Sequence, residues 1–252
     1  MKQNEFLFEV CANSVESCVA AQEGGAHRVE LCAGIPEGGT TPSYGEIKAA
    51  RKVLRHTQLN VIIRPRGGDF TYSPEERARM ADDIDMCRKL RVDGVVFGCL
   101  TADGWVNIEH CMKLLEHCQG IYATFHRAFD RCSDPFEDLE RLIAMGFDRV
   151  LTSGFSATAE QGVAQLARLH ETAAERIGVV AGGGVNEHNI AAIYEQTGVR
   201  QFHFSAREKF LSPVSYMGGE VYMGEKDVDE AVREVTTVEK VQRTISALVS
   251  QK

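Results

Sequence analysis

Two short segments of the sequence share one pattern, in which a glutamate and a cysteine flank an apolar residue. Residues 9–11 read Glu-Val-Cys and residues 30–32 read Glu-Leu-Cys. If these are neighbouring strands in matching register, the backbones at Cys11 and Cys32 lie about 4.8 Å apart. Two such thiolates can share one soft metal ion and suit Cu(I) better than structural zinc, which needs four ligands. Core-filling thiols and a disulfide are the alternatives, the disulfide being disfavoured in a reducing cytosol.

A second group of polar residues has the types needed for work on a small anion. Arg64 and Arg66 could hold a carboxylate or a phosphate, and His126 could act as a general base. Glu9 or Glu30 could transfer a proton. The group therefore predicts an enzyme or binding protein for a small anionic metabolite, such as a sugar phosphate, without indicating a reaction. A buried ion-pair network that only fills the interior is the alternative.

A run of three glycines could add an anion site, because backbone N–H groups before a helix favour negative charge. The run stands between a predicted strand and a predicted helix and consists of Gly182, Gly183 and Gly184. Ser205 and Arg207, after the last predicted strand, could contribute to the same site. A tight turn would require the same glycines, so a plain turn stays open.

Apolar strand-like segments alternate with longer segments of helical spacing along the whole sequence. The strands are predicted at residues 6–11, 27–32, 60–64, 93–99, 120–126, 148–152, 177–181 and 200–205. The helices are predicted at residues 14–24, 43–56, 74–91, 107–118, 134–146, 158–174, 186–197 and 227–249. Eight such units imply parallel strands joined by crossover helices.

Eight parallel strands are also the number that closes a barrel, so we predict an α/β fold of the (β/α)8 TIM-barrel type. Residues 1–252 are predicted to form a single domain, because no linker rich in Pro, Gly or Ser divides them. An open doubly wound sheet is less favoured, since no G-x-G-x-x-G follows the first strand. Residues 206–226 are predicted to be an irregular insertion before the last helix, serving as a lid, a disordered loop or the contact of a homodimer or other homo-oligomer.

Alternation within the predicted strands places polar groups on one face near the strand ends, where barrel active sites form. The predicted inward residues are Glu9, Cys11, Glu30, Cys32, Arg64, Arg66, Thr124, His126, Thr152, His203 and Ser205. Their apolar neighbours, such as Phe8, Val10 and Val29, would face the helices. Barrel interiors usually favour bulky branched side chains, so this many polar groups indicates a site.

Composition excludes several classes of partner. The 252 residues carry a net charge of −8 without a Lys/Arg block, which disfavours nucleic acid. No stretch approaches the ~18 apolar residues needed to span a bilayer, and the first residues lack the apolar region of a secretory signal. We therefore expect a cytoplasmic protein with no membrane partner, in which the eight cysteines are thiols.

Several segments, taken together, resemble the CutC family. In chain order they are EVCANSVES, RVELCAGIPEGGTTPS, IIRPRGGDF, TFHRAFD, RVLTSG, AGGGV and FHFSAR, spread over residues 6–207. The resemblance implies a cytosolic (β/α)8 barrel associated with copper tolerance and copper binding, with Cys11 and Cys32 as the copper ligands. We therefore expect a copper homeostasis protein that binds Cu(I). An enzyme or binder of a small phosphorylated or carboxylated compound is the alternative.

Overall fold

Eight parallel strands form a closed barrel in the computed structural model, which describes residues 5–216 and 229–249. The barrel strands are β1 (Leu7–Ala12), β2 (Arg28–Leu31), β3 (Gln58–Ile62), β4 (Gly94–Phe97), β5 (Tyr122–Phe125), β6 (Arg149–Thr152), β7 (Gly178–Gly182) and β8 (Gln201–Phe204). Each strand pairs with the next in sequence, and β8 closes the barrel by pairing with β1. The predicted (β/α)8 barrel is confirmed, and the open doubly wound sheet is not what forms.

Helices connect successive strands and cover the outside of the barrel. They are α1 (Val15–Glu23), α2 (Tyr44–Val53), α3 (Pro74–Lys89), α4 (Ile108–His117), α5 (Pro135–Met145), α6 (Val163–Ala173), α7 (Ile190–Thr197) and α8 (Val238–Val249). The start of α3 shows how the sequence sets a boundary. Ser73 and Glu76 form a capping box around Pro74, whose missing N–H costs nothing in the first turn. None of the helices in the described residues has the length and apolarity to cross a membrane.

A two-stranded antiparallel ribbon stands between β8 and α8, where the sequence predicted otherwise. Strand β9 (Arg207–Leu211) pairs with β10 (Val232–Thr236), so the prediction of an irregular segment is wrong at residues 207–211. The helix predicted at 227–249 begins only at Val238, because β-branched residues in 232–236 favour a strand. Residues 217–226 of the predicted insertion lie outside the described residues, and the role of the segment stays a prediction.

Side-chain alternation separates an apolar outer layer from a polar interior. Phe8, Val10 and Val29 are fully buried in the cluster that packs beneath the helices, as predicted. In β6 the predicted parity is wrong, since Leu151 lines the interior cavity. The hydroxyl of Thr152 instead donates to Asp130, because the loop after β5 offers that carboxylate as an acceptor on the outer face.

The carboxylate of Glu9 is the centre of a buried polar layer inside the barrel, and its side chain is 2% exposed. One oxygen accepts hydrogen bonds from Arg28 Nε at 3.1 Å and Asn60 Nδ2 at 2.8 Å. The other oxygen lies 2.9 Å from His203 Nδ1. Burial alone would raise the pKa of Glu9, but the charges of Arg28 and His203 outweigh it and hold that pKa well below its usual range.

Replacing this carboxylate should destabilise the barrel strongly. Glu9→Gln leaves Arg28 and His203 as buried charges without their anion, and breaking a buried pair costs about 3–5 kcal/mol. Because the pKa of Glu9 is lowered, its contribution is present above the ordinary carboxyl pKa and is lost as pH falls. The difference in free energy of unfolding between the wild type and Glu9→Gln, measured with urea at pH 7, should therefore become smaller in acid.

Glu109→Gln is the matched control, since it removes an exposed carboxylate that pairs with Lys113 across one helical turn. Its urea midpoint should equal that of the wild type. A Glu9→Gln protein as stable as this control at pH 7 would contradict the role assigned to Glu9.

Candidate functional site

A cavity of about 220 Å³ lies at the carboxyl ends of the barrel strands. Cys11, Glu30, Cys32 and His203 form part of its wall, and Leu151 adds an apolar surface. Ile62 at the end of β3, Arg207 at the start of β9, the loops after β2 and β3 and the segment after β5 supply the remainder. The strand ends therefore bring together most of the residues that the sequence predicted as inward-facing.

The two cysteines of the repeated pattern meet in this cavity, with their sulfurs 3.8 Å apart. The predicted matching register is wrong, because Cys11 pairs with Glu30 and Cys32 follows the end of β2. The thiols still meet because both have the parity that faces the interior. Both are free thiols, Cys11 half-buried and Cys32 buried.

Three ligand atoms come close enough to hold one metal ion. The sulfurs of Cys11 and Cys32 and a carboxylate oxygen of Glu30 all lie within 4.8 Å of one another. Two metal–thiolate bonds of about 2.3 Å can place their sulfurs up to about 4.6 Å apart. The observed 3.8 Å therefore fits a single ion bound by both thiolates.

The surroundings of the pair make its two sulfurs unequal in acidity. The hydrogen bond with Cys32 lowers the pKa of Cys11 well below its ordinary value despite burial, and His203 and Arg207 act in the same direction. The Arg207 Nη2 atom lies 3.5 Å from the Cys11 sulfur. The bond with Cys11, together with burial and the charge of Glu30, raises the pKa of Cys32 well above its ordinary value. Cys11 is thus the more acidic of the two sulfurs.

His203 links the thiol pair to the buried layer beneath it. Its Nδ1 atom lies 2.9 Å from Glu9, and its Nε2 atom lies 3.5 Å from Glu30. Burial alone would lower the pKa of His203, but hydrogen bonds with Cys11 and Glu9 raise it well above its ordinary value. The ring is therefore an imidazolium that stabilises negative charge on Cys11.

The two glutamates predicted to transfer protons occupy different environments. Burial, reinforced by the charges of Cys11 and Glu9, raises the pKa of Glu30 to about 8 although His203 opposes the shift. Glu30 is therefore mostly protonated at neutral pH and lies in the cavity wall. Glu9 lies in the layer below, with both oxygens engaged, so proton transfer by Glu9 would require breaking that layer.

The structure separates the two arginines of the predicted anion site. Arg64 is 4% exposed, lines the cavity and lies over the Phe70 ring at 5.0 Å. Arg66 does not line the cavity, because its guanidinium turns outward to Glu76 at 2.7 Å and Asp69 at 3.3 Å. Of these two arginines, only Arg64 is therefore placed to contact a ligand in the cavity.

His126 lies against the same Phe70 ring, at 5.0 Å between centroids. A side chain at Gly98 would come within 2.8 Å of its Nδ1 atom, so glycine makes room for the ring. That Nδ1 atom accepts the backbone N–H of Ala128, which leaves the proton of the neutral ring on Nε2. Burial and the charge of Arg64 lower the pKa of His126 to about 3, so the ring is neutral. Its Nε2–H is a hydrogen-bond donor, and a general-base role would require the other tautomer.

The three predicted loop glycines have separate surroundings. Gly182 lies in the barrel wall, where an added Cβ would stand 2.6 Å from Leu151. Gly183 has a φ of +96° and faces the guanidinium of Arg127. The carbonyl of Gly184 accepts the side-chain amides of two asparagines, as a turn requires. Helix α7 begins only at Ile190, beyond the predicted start, so anion binding by these glycines stays a prediction.

The two predicted site residues after the last barrel strand also differ in position relative to the cavity. Arg207 lines the cavity beside Cys11. Ser205 is half-buried and does not line the cavity, and its carbonyl accepts the hydroxyl of Thr236 in β10. The β9–β10 ribbon therefore anchors the segment that brings Arg207 to the thiol.

Sequence reasoning missed Arg28, Asn60 and Arg127. Arg28 and Asn60 have the inward parity, so the alternation used for the strand ends would have predicted them if followed back along the strands. Arg127 lines the cavity and is held by Asp130 at 2.8 Å. It lies in the 3-10 helix Arg127–Arg131 after β5, where strand alternation gives no signal.

Comparisons with known proteins give one consistent result. The model of the CutC family matches residues 6–208. A family protein CutC of Bacteroides fragilis is 57% identical over 246 residues, covering 97% of this chain and 98% of the relative. The human copper homeostasis protein cutC homolog is 45% identical over 246 residues, covering 97% of this chain and 89% of the human protein. A crystal structure of CutC from Streptococcus agalactiae has a TM-score of 0.77 at 37% identity and covers 79% of this chain and 98% of that one.

The lowered pKa of Cys11 predicts selective alkylation. Iodoacetamide reacts with the thiolate, so the rate at Cys11 should reach half its maximum well below the pH of about 8.5 typical of a free thiol. The rate at each cysteine is followed by peptide mass spectrometry. Arg207→Met should move the midpoint to higher pH, whereas Cys18, whose pKa burial raises to about 12, should stay unlabelled. A wild-type midpoint at or above pH 8.5 would contradict the assignment.

Proposed function

The chain belongs to the CutC family, a family of copper homeostasis proteins, and we propose that it binds Cu(I) in the cytoplasm through Cys11 and Cys32. The observation that carries the proposal is the 3.8 Å separation of two free thiols in a cavity of the barrel. Thiolate sulfur is a soft ligand that favours Cu(I) and zinc over hard ions, and two sulfurs alone leave the four-ligand shell of structural zinc incomplete. The cytoplasmic location and a homo-oligomeric state are parts of the proposal that come from the sequence.

The charges around the thiols favour the binding of a monovalent ion. One Cu(I) and two thiolates together carry a net charge of −1. Arg207 lies 3.5 Å from the Cys11 sulfur, and the His203 imidazolium stands beneath the pair. These two cations stabilise the excess negative charge in a site that excludes much of the solvent.

Glu30 contributes differently from the sulfurs. Its oxygen is a hard ligand, which suits Cu(I) poorly, and burial raises its pKa to about 8. A neutral Glu30 adds no third negative charge beside the two thiolates. Binding of Cu(I) displaces the proton of Cys32, so the apparent affinity should rise with pH.

Anaerobic titration of Cu(I) against a competing chelator tests the proposal. The wild type should bind one Cu(I) per chain, and the Cys11→Ser/Cys32→Ser double variant should lose this binding. Changes in groups that merely support metal ligands cost about 10–100-fold in affinity. Loss of both ligands should therefore cost more than about a hundredfold.

A second buried thiol pair provides the matched control. Cys99 and Cys111 are fully buried in the apolar core, with the Cys111 sulfur 3.8 Å from the Cys99 carbonyl oxygen. The Cys99→Ser/Cys111→Ser variant should keep wild-type Cu(I) affinity. Equal affinity in the two double variants would refute Cys11 and Cys32 as the ligands, and tighter binding of Zn(II) than of Cu(I) would refute the choice of metal.

A further inference from the structure

Arg64 is a buried cation that has no carboxylate partner among the described residues. Its Nη1 atom donates to the carbonyls of Glu37 at 2.7 Å and Gly39 at 2.9 Å, and its Nη2 atom donates to that of Gly68 at 2.9 Å. Its Nε–H is buried and has no acceptor within hydrogen-bond distance in the described part of the chain, and the hydroxyl of Tyr72, on which the charge of Arg64 acts, is likewise without a partner. Carbonyl dipoles orient this guanidinium, but they do not neutralise its charge. A buried cation normally has an anion beside it, so the cavity that Arg64 lines is a place for one.

His126 supplies a second donor without an acceptor on the same wall. Its Nε2–H is buried, and no described atom accepts it. Arg64 and His126 both lie at 5.0 Å from the Phe70 ring, and the charge of Arg64 acts on the His126 ring. A buried donor without a partner is destabilising, and a ligand acceptor in the cavity would satisfy it.

The rest of the lining indicates what else such a ligand carries. Ile35, Ile62, Phe70 and Leu151 present apolar surface to the cavity. Glu30 is the single carboxylate among the cavity residues, while Arg64 and Arg207 bring two guanidiniums that form no described ion pair with a carboxylate. An anion with an apolar body matches this combination. Beside the Phe70 ring, Arg64 and His126 offer one free donor each, which matches the two oxygens of a carboxylate, whereas the free Nε–H of Arg207 belongs to the residue that contacts the Cys11 sulfur.

We propose that the cavity also binds a small organic carboxylate, whose oxygens accept hydrogen bonds from Arg64 and His126 and whose apolar body packs on Phe70 and Leu151. This site shares the cavity with the thiol pair but uses a different set of residues. The proposal does not depend on copper binding, because the carboxylate needs neither Cys11 nor Cys32.

A charged and a neutral probe of the same shape test the site. 4-Fluorobenzoate and 4-fluorobenzamide differ in charge but not in size, and the ¹⁹F resonance of each reports binding to the metal-free protein. The benzoate should bind about tenfold more tightly or better, since a hydrogen bond to a charged group is stronger than one to a neutral group. Equal affinity of the two probes, no binding of the benzoate, or tighter binding of inorganic phosphate would overturn the proposal.

Two variants identify the wall that holds the carboxylate. His126→Phe keeps an aromatic ring but removes the Nε2–H. It should lower the affinity for 4-fluorobenzoate by about tenfold. Arg64→Met should weaken it at least as much. Arg64 also donates to three loop carbonyls, so Arg64→Met could fail to fold. In that case the affinity of His126→Phe for 4-fluorobenzoate tests the site. Unchanged benzoate affinity in His126→Phe would overturn the assignment.

Arg66→Met is the matched control, since Arg66 stands two residues from Arg64 but contacts Glu76 outside the cavity. It should keep wild-type affinity for 4-fluorobenzoate. The Cys11→Ser/Cys32→Ser variant separates this site from the proposed copper site. It should retain benzoate binding whether or not the wild type binds Cu(I), and loss of benzoate binding there would contradict a site built on Arg64 and His126.

Discussion

The buried carboxylate of Glu9 is the constraint on which the interior of this barrel depends. A lone carboxylate in the centre of a protein would be strongly destabilising, and here Arg28, Asn60 and His203 satisfy it on both oxygens. The same contacts fix these three side chains relative to one another. The polar layer therefore supports the cavity above it, and its cost in desolvation is offset because Arg28, Asn60 and His203 each contact the carboxylate.

The buried polar layer around Glu9 sets the charges of the cavity through His203. Glu9 keeps the ring in its imidazolium form, and the ring in turn favours negative charge on Cys11. Arg207 reaches the same sulfur from the segment that the β9–β10 ribbon anchors. Burial acts in the opposite sense on Glu30, which it keeps mostly neutral. The buried layer and its surroundings thus give unequal acidities to two thiols and a carboxyl group whose ligand atoms all lie within 4.8 Å of one another.

Much of this arrangement could be predicted from the sequence, because strand alternation carries most of the information. The parity of residues 9–11 and 30–32 placed Cys11 and Cys32 together even though the register differs by two residues from the one assumed. Parity failed inside β6, where Leu151 and not Thr152 faces the cavity, and again where the chain leaves β3. Arg66 has the parity of Arg64, yet it lies beyond the end of β3, where loop geometry and Glu76 decide its direction. The β9–β10 ribbon was missed because its pairing joins segments far apart in sequence, and tautomer and charge at His126 depend on neighbours that only the fold brings together.

X-ray absorption at the copper K-edge, on protein loaded with one equivalent of Cu(I), tests the central claim most directly. The thiol pair predicts a first shell made of sulfur in the wild type, with the sulfur contribution reduced in Cys32→Ser. A first shell of nitrogen or oxygen alone, or a spectrum unchanged by Cys32→Ser, would show that copper binds elsewhere and would contradict the account.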